Sequence, residues 1–129
     1  MPEQNSYQAL IVDDNWFNRD VSAIALKHVG YSVTEASNAR DALSLLEQHR
    51  FDLLVLDLAM PEMDGATMLR MLKERGDHRS MRVVVMTANP HMTTDQVDAD
   101  ADYVMFKPIN IGDFAHLAYR LQEGMARKQ

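Results

Sequence analysis

Hydrophobic positions along the chain follow two alternating patterns. Five short runs are mainly apolar, and four of them are apolar at every position, which is typical of parallel strands covered on both faces. Between these runs, apolar residues recur with helical spacing. Alternating strands and helices predict right-handed crossovers and an open parallel sheet sandwiched between helices. The predicted strands are Ala9–Val12, Ser32–Thr34, Leu53–Leu56, Val83–Met86 and Tyr103–Phe106.

Four helices are predicted from this spacing and from their end signals. Asn38, Asp64 and Asn110 stand where N-terminal caps are expected for the second, third and last helices. Gly30 and Gly76 mark the ends of the first and third helices. The predicted apolar stripes are Phe17, Val21, Ile24, Ala25 and His28; Ala39, Ala42, Leu43 and Leu46; Met68, Leu69 and Leu72; and Phe114, Leu117, Ala118 and Leu121.

The stretch between Met86 and Tyr103 departs from this rhythm. A further crossover helix is expected there, but the stretch is rich in threonine and aspartate, which are mediocre helix formers. No lysine or arginine occurs from Val83 to Phe106, so the four aspartates of the stretch repel one another without compensation. We therefore expect a short, frayed or missing fourth helix.

Composition narrows the class of protein. The 129 residues and 14.7 kDa suit one domain, predicted to span residues 1–129 with no output domain. The absence of cysteine excludes zinc–thiolate sites, thiol nucleophiles and disulfides. A net charge of −6 without a basic run argues against nucleic-acid binding. No apolar run is long enough for membrane insertion, and the N-terminus lacks signal-peptide features, so a cytoplasmic location is expected.

Polar residues gather where the predicted strands end. The first predicted strand ends at Asp13 and Asp14, and the third ends at Asp57. The fourth ends at Thr87, and the fifth ends at Lys107. The carboxyl ends of parallel strands meet at one edge of the sheet, where ligands bind in folds of this class. The sequence therefore predicts a single cleft holding three carboxylates, one hydroxyl and one ammonium group.

This set of groups indicates phosphoryl chemistry with a divalent cation. Three close carboxylates raise one another's pKa, and a hard cation relieves the repulsion. Oxygen ligands at an open site favour Mg²⁺. Lys107 adds a second positive charge, which suits a phosphoryl group, and Asp57 is the expected nucleophile because aspartyl phosphate is a known type of covalent intermediate.

Four motifs together resemble the receiver domains of two-component phosphorelay signalling, in particular those of hybrid sensor kinases and their stand-alone relatives. The resemblance covers essentially the whole chain and implies a flavodoxin-like (βα)₅ fold of the α/β class, with strand order 2-1-3-4-5. The motifs are Asp13-Asp14-Asn15 with Asn18-Arg19, the stretch Leu56–Gly65, Met86-Thr87-Ala88, and Lys107-Pro108.

The resemblance implies a role for each site residue. Asp57 accepts a phosphoryl group from a phosphohistidine on a histidine kinase or histidine phosphotransfer protein. Asp14 and Asp57 bind Mg²⁺ directly, the backbone carbonyl of Ala59 is a third ligand, and Asp13 acts mainly through water. Apart from Mg²⁺-dependent autophosphorylation and autodephosphorylation, no enzymatic activity is implied.

The resemblance also implies how the remaining residues transmit the signal. Lys107 contacts the phosphoryl oxygens and Asp57, and its bond to Pro108 is cis. Thr87 moves towards the phosphoryl group, and the changed conformation controls a separate downstream effector protein. The family usually has an aromatic switch residue three positions before the lysine, but Val104 occupies that position and Tyr103 lies one residue earlier.

Two alternatives compete with the phosphoacceptor interpretation. A pseudo-receiver that no longer takes up phosphate and only binds other proteins is suggested by the unusual Pro90–Asp102 segment and by Tyr103. A phosphoaspartate hydrolase of the haloacid dehalogenase type needs a second aspartate two residues after the nucleophile. Ala59 occupies that position, so the acid needed for turnover is missing.

Overall fold

The computed structural model describes residues 6–76 and 80–125. Within these residues the strands are β1 (Tyr7–Val12), β2 (Tyr31–Ala36), β3 (Leu53–Asp57), β4 (Arg82–Thr87) and β5 (Tyr103–Phe106). The helices are α1 (Trp16–His28), α2 (Ala39–Gln48), α3 (Gly65–Arg75), α4 (Asp95–Asp100) and α5 (Ile111–Met125). All neighbouring strands pair in parallel, in the order β2-β1-β3-β4-β5, which confirms the predicted sheet.

The sheet separates two hydrophobic cores. One core contains residues of α2, α3 and α4 packed against one face, and the other contains residues of α1 and α5 packed against the opposite face. Strand β3 is buried along its whole length, and the last four residues of β1 are buried as well. The central strands are therefore held between two helical layers, as their uninterrupted apolar runs predict.

The predicted helix caps are present. The side chains of Asn38, Asp64 and Asn110 accept hydrogen bonds from backbone amides three residues further along, at 2.8, 2.8 and 2.9 Å. Gly76 closes α3 in the left-handed conformation, with φ of 74°. These local signals act over a few residues, and the sequence therefore predicts them well.

The predicted buried face of α1 is wrong. Phe17 and Ile24 are 59% and 57% exposed, and His28 is also exposed. Of the predicted stripe, only Ala25 is fully buried. Serine and alanine side chains, together with Leu26, form the buried face of α1, whereas Phe17 and Ile24 lie outside the core. The buried residues of α1 are Ser22, Ala23, Ala25 and Leu26.

The region around β5 is more open than the sequence predicts. Helix α4 has six residues and follows a 3-10 turn at Pro90–Met92, which confirms the expected short fourth helix. Because β5 pairs only with β4 among the described strands and α4 is short, Tyr103 and Phe106 are exposed. The expectation that β5 is covered on both faces is therefore wrong. The half-buried Val104 packs against the core on the α2–α4 side.

None of the helices within residues 6–76 and 80–125 is both long enough and apolar enough to span a lipid bilayer.

Candidate functional site

Three carboxylates meet at the carboxyl end of the sheet. Asp13 directly follows β1, and Asp57 is the last residue of β3, which lies beside β1 in the sheet. Asp13, Asp14 and Asp57 each offer an oxygen within 4.8 Å of the others. Asp13 and Asp57 are buried, whereas Asp14 is exposed at the opening. The parallel arrangement thus brings together the three aspartates that the sequence singled out.

Lys107 completes the charged cluster. Its Nζ lies 3.0 Å from Asp13 Oδ2 and 3.5 Å from Asp57 Oδ1. Its backbone N–H donates to the carbonyl of Thr87 at 2.9 Å, which continues the β4–β5 pairing beyond the end of β5. The Lys107–Pro108 peptide bond is cis, as predicted. The ammonium group therefore lies between the two buried carboxylates and partly neutralises them.

The protonation of Asp57 reflects its crowded environment. Burial of the carboxylate, reinforced by the neighbouring charge of Asp13, raises the pKa of Asp57 from 3.8 to about 6. Lys107 and the backbone N–H of Ala59, which lies 3.2 Å from Asp57 Oδ1, act in the opposite direction. Three carboxylates facing one ammonium group leave uncompensated negative charge. A hard divalent cation with oxygen ligands, such as Mg²⁺, fits this set of donors.

The raised pKa of Asp57 predicts an unusual pH dependence of stability. Since the native carboxyl group holds its proton more tightly than the unfolded one, the native state binds more protons between pH 4 and 6. The free energy of unfolding of the metal-free protein should therefore fall as pH rises through this window, by about 2 kcal/mol from this group. Urea unfolding at pH 4.5 and 7.5 measures the change.

Asp57→Asn supplies the comparison for this prediction, because asparagine does not titrate. The variant should lack the pH-dependent contribution of Asp57. Its free energy of unfolding, relative to that of the parent, should therefore rise between pH 4.5 and 7.5. Asp64→Asn, at an exposed cap, removes the same charge and should follow the parent. Parallel pH curves for the parent and Asp57→Asn would contradict the prediction.

The hydroxyl of Thr87 is engaged within its own loop. Thr87 is fully buried at the end of β4, beside the strand that carries Asp57. Its Oγ1 donates to the carbonyl of Asn89 at 3.1 Å and accepts from the N–H of Asn89 at 3.0 Å. The side chain of Asn89 in turn caps the 3-10 turn at Pro90–Met92. A movement of Thr87 would therefore release the start of the β4–α4 connection.

Ala59 contacts the cluster, and Trp16 lies close to it in the sequence. The amide of Ala59 orients Asp57, while the use of its carbonyl as a metal ligand stays a prediction. Trp16 is 68% exposed, begins α1 two residues after Asp14, and packs edge-on against Phe17 with ring centroids 5.9 Å apart. This position next to the acidic pair makes Trp16 a natural optical probe of the site.

Two contacts were not anticipated from the sequence. Arg19 donates from Nη1 to the backbone carbonyl of Asp13 at 2.9 Å and from Nε to Glu35 at 3.1 Å. Gly65 packs so closely on the backbone at Asp57 and Leu58 that an added Cβ would lie 2.8 Å from Leu58 Cα. Arg19 and Gly65 both belong to motifs of the sequence, but only the folded chain shows what each of them contacts.

Comparisons with known proteins agree with this architecture. The family model described as "Response regulator receiver domain" matches residues 9–118. The response regulator MprA of Mycolicibacterium vanbaalenii is 37% identical over 101 residues, which are 77% of this chain and 43% of that protein. The chain thus spans less than half the length of this curated relative.

Solved structures show the same fold. The signal receiver domain of a histidine kinase from Syntrophus aciditrophicus superposes with a TM-score of 0.85, at 30% identity and with 96% of each chain covered. The response regulator TrrA of Thermotoga maritima, solved in complex with Mg²⁺-BeF, gives a TM-score of 0.80 at 24% identity, covering 89% of this chain and 98% of that one. Since the family match covers most of the sequence, this chain belongs to the receiver-domain family of two-component response regulators.

Proposed function

We propose that this receiver domain is a phosphoacceptor in which Asp57 takes a phosphoryl group from a phosphohistidine donor. One observation carries the proposal: Asp57 is buried beside two other carboxylates, with Lys107 Nζ 3.5 Å from its Oδ1. Burying like charges costs stability, and such arrangements are concentrated at sites that bind cations or carry out chemistry. The backbone amide of Ala59 and the ammonium group of Lys107 both contact Asp57 Oδ1 and hold the nucleophile in place.

The proposed reaction transfers one phosphoryl group. A carboxylate oxygen of Asp57 attacks the phosphorus of the donor, a P–O bond forms, and the P–N bond to the imidazole breaks with its electron pair leaving on nitrogen. Lys107 donates to the phosphoryl oxygens, whose negative charge the neighbouring carboxylates repel. Loss of the signal is hydrolysis of the acyl phosphate, in which water attacks phosphorus and the carboxylate of Asp57 is restored.

Mg²⁺ fits the proposed site. Asp14 and Asp57 would hold the cation directly with the carbonyl of Ala59, and Asp13 would act mainly through water. The bound cation would neutralise the negative charge on the carboxylates and on the phosphoryl oxygens. The TrrA structure, solved with Mg²⁺ and a fluoroberyllate group, supports this assignment by analogy of fold.

A helical phosphodonor is the proposed partner. Trp16, Phe17 and Ile24 present exposed apolar side chains on α1, and the first two lie within a few residues of Asp14. A histidine kinase or histidine phosphotransfer protein that brings its phosphohistidine to Asp57 would cover this surface. Release of Thr87 from Asn89 then passes the signal to the β4–α4 connection and to a separate effector protein.

The pseudo-receiver alternative rests on the β5 region. Tyr103 is exposed, and Val104 occupies the position where the family has its aromatic switch. In that case the domain would bind a protein partner through this surface without taking up phosphate. The alternative gives no role to the buried carboxylates of Asp13 and Asp57 or to Lys107 beside them, and we therefore rank it second.

Trp16 emission tests the proposal. Titration of the parent with Mg²⁺ should change the emission saturably, and subsequent addition of beryllofluoride, a phosphoryl mimic, should give a second change. Asp57→Asn should lose the response to beryllofluoride, because the amide cannot coordinate beryllium as the carboxylate does. Circular dichroism checks that the variant is folded. A folded parent that responds to neither addition would instead favour the pseudo-receiver.

A further inference from the structure

We propose that Arg19 is a positioning residue that holds the β1–α1 loop in the geometry needed to bind the cation. This inference rests on the proposed Mg²⁺-dependent function and adds a residue outside the ligand set. The guanidinium group contacts the backbone of Asp13 with Nη1 and the side chain of Glu35 with Nε, at 2.9 and 3.1 Å. It therefore links α1, the end of β1 and the neighbouring strand β2.

The contacts of Asp13 show what Arg19 completes. The amide of Asp13 donates to Ala36 at the end of β2, at 3.2 Å. Its Oδ1 accepts from the amide of Asn15 at 2.9 Å, and its Oδ2 accepts from Lys107. Its carbonyl, one residue beyond the end of β1, accepts from the guanidinium of Arg19. Every polar group of Asp13 is thus fixed.

These contacts of Asp13 matter because the three carboxylates of the cluster repel one another. Asp13, Asp14 and Asp57 place oxygens within 4.8 Å of one another, so their mutual repulsion opposes the close approach of the β1–α1 loop to β3. A loop that moved outward would have to be drawn back when the cation binds, which would weaken binding. Arg19 resists this movement from the first turn of α1, and its side chain is only 19% exposed.

Charge and position predict opposite effects when Arg19 is removed. A guanidinium group near the cluster repels a cation, so loss of its charge alone would tighten Mg²⁺ binding. Loss of the link between the carbonyl of Asp13 and Glu35 would instead weaken it. Arg19→Lys keeps the charge, but a single ammonium group lacks the planar fork that reaches two acceptors. The direction of the change therefore separates the two explanations.

The experiment measures Mg²⁺ affinity by calorimetry and by Trp16 emission for the parent, Arg19→Ala, Arg19→Lys and Arg70→Ala. Arg70 is exposed on α3, so its replacement controls for the lost charge. We expect affinity to fall roughly tenfold in Arg19→Ala, the lower end of the range for residues behind metal ligands, and to fall less in Arg19→Lys. Arg70→Ala should match the parent. Urea unfolding without Mg²⁺ establishes that each variant is folded.

The possible outcomes are distinct. Equal or tighter Mg²⁺ binding by folded Arg19→Ala would overturn the positioning role and leave the proposed function standing. If Arg19→Ala does not fold, Arg19→Lys decides, since unchanged affinity in that variant also overturns the role. A parent that binds no Mg²⁺ in either assay overturns the proposed function, and the role of Arg19 with it.

Discussion

Asp57→Asn should abolish covalent phosphorylation of this protein. In the presence of Mg²⁺ and acetyl phosphate, the parent should gain one phosphoryl group as a hydroxylamine-sensitive acyl phosphate. The variant should gain none, because an amide is not a nucleophile towards phosphorus under these conditions. Asparagine has nearly the shape of aspartate and keeps an oxygen that accepts from the amide of Ala59, so the fold should persist. Intact-protein mass spectrometry measures the product.

Asp64→Asn is the matched control for this experiment. It makes the same chemical change seven residues away, at the exposed cap of α3, where asparagine caps a helix as well as aspartate does. This variant should be phosphorylated like the parent. Equal labelling of the parent and Asp57→Asn would place the acceptor on another residue and would overturn the proposed function.

The convergence of the charged residues was predictable because it follows from topology alone. Once Asp13, Asp57 and Lys107 are placed at the ends of parallel strands, the sheet leaves them one common edge. Neither burial nor side-chain detail is needed for that step. The same argument does not give hydrogen-bond partners. The hydroxyl of Thr87 bonds to Asn89 in its own loop, and the sequence pattern contains no signal for that conformation.

The buried face of α1 was not predictable because two different requirements produce apolar residues on a helix. Ala25 and Leu26 are apolar because they pack in the core, whereas Phe17 and Ile24 form an exposed apolar surface. Hydrophobic spacing counts both kinds alike. Ser22 is buried although it is polar, since a small residue permits close packing. Phe17 and Ile24 therefore belong to an exposed apolar surface of α1, where the proposed phosphodonor would bind.

The contact of Gly65 with the end of β3 links the start of α3 to Asp57, the proposed phosphoacceptor. An added Cβ would overlap the backbone carbonyl of Asp57 and would lie 2.8 Å from Leu58 Cα. The amide of Gly65 also donates to the carbonyl of Leu58 at 3.0 Å, which holds the two backbones together. Because both clashing groups belong to the backbone, no side-chain rotation can relieve the overlap. Any larger residue must move α3 or the end of β3.

Gly65→Ala should therefore lower the free energy of unfolding by about 3 kcal/mol, the upper part of the range for overpacking. The gain in helix propensity from alanine, about 1 kcal/mol, is too small to offset this cost. Displacement of Asp57 should also weaken Mg²⁺ binding. Gly112→Ala is the matched control, because its Cβ would meet only the side chain of Asn110, at 3.3 Å. Urea unfolding and Mg²⁺ titration of both variants measure the effects, and equal stability of the two would show that the β3–α3 contact adjusts without cost.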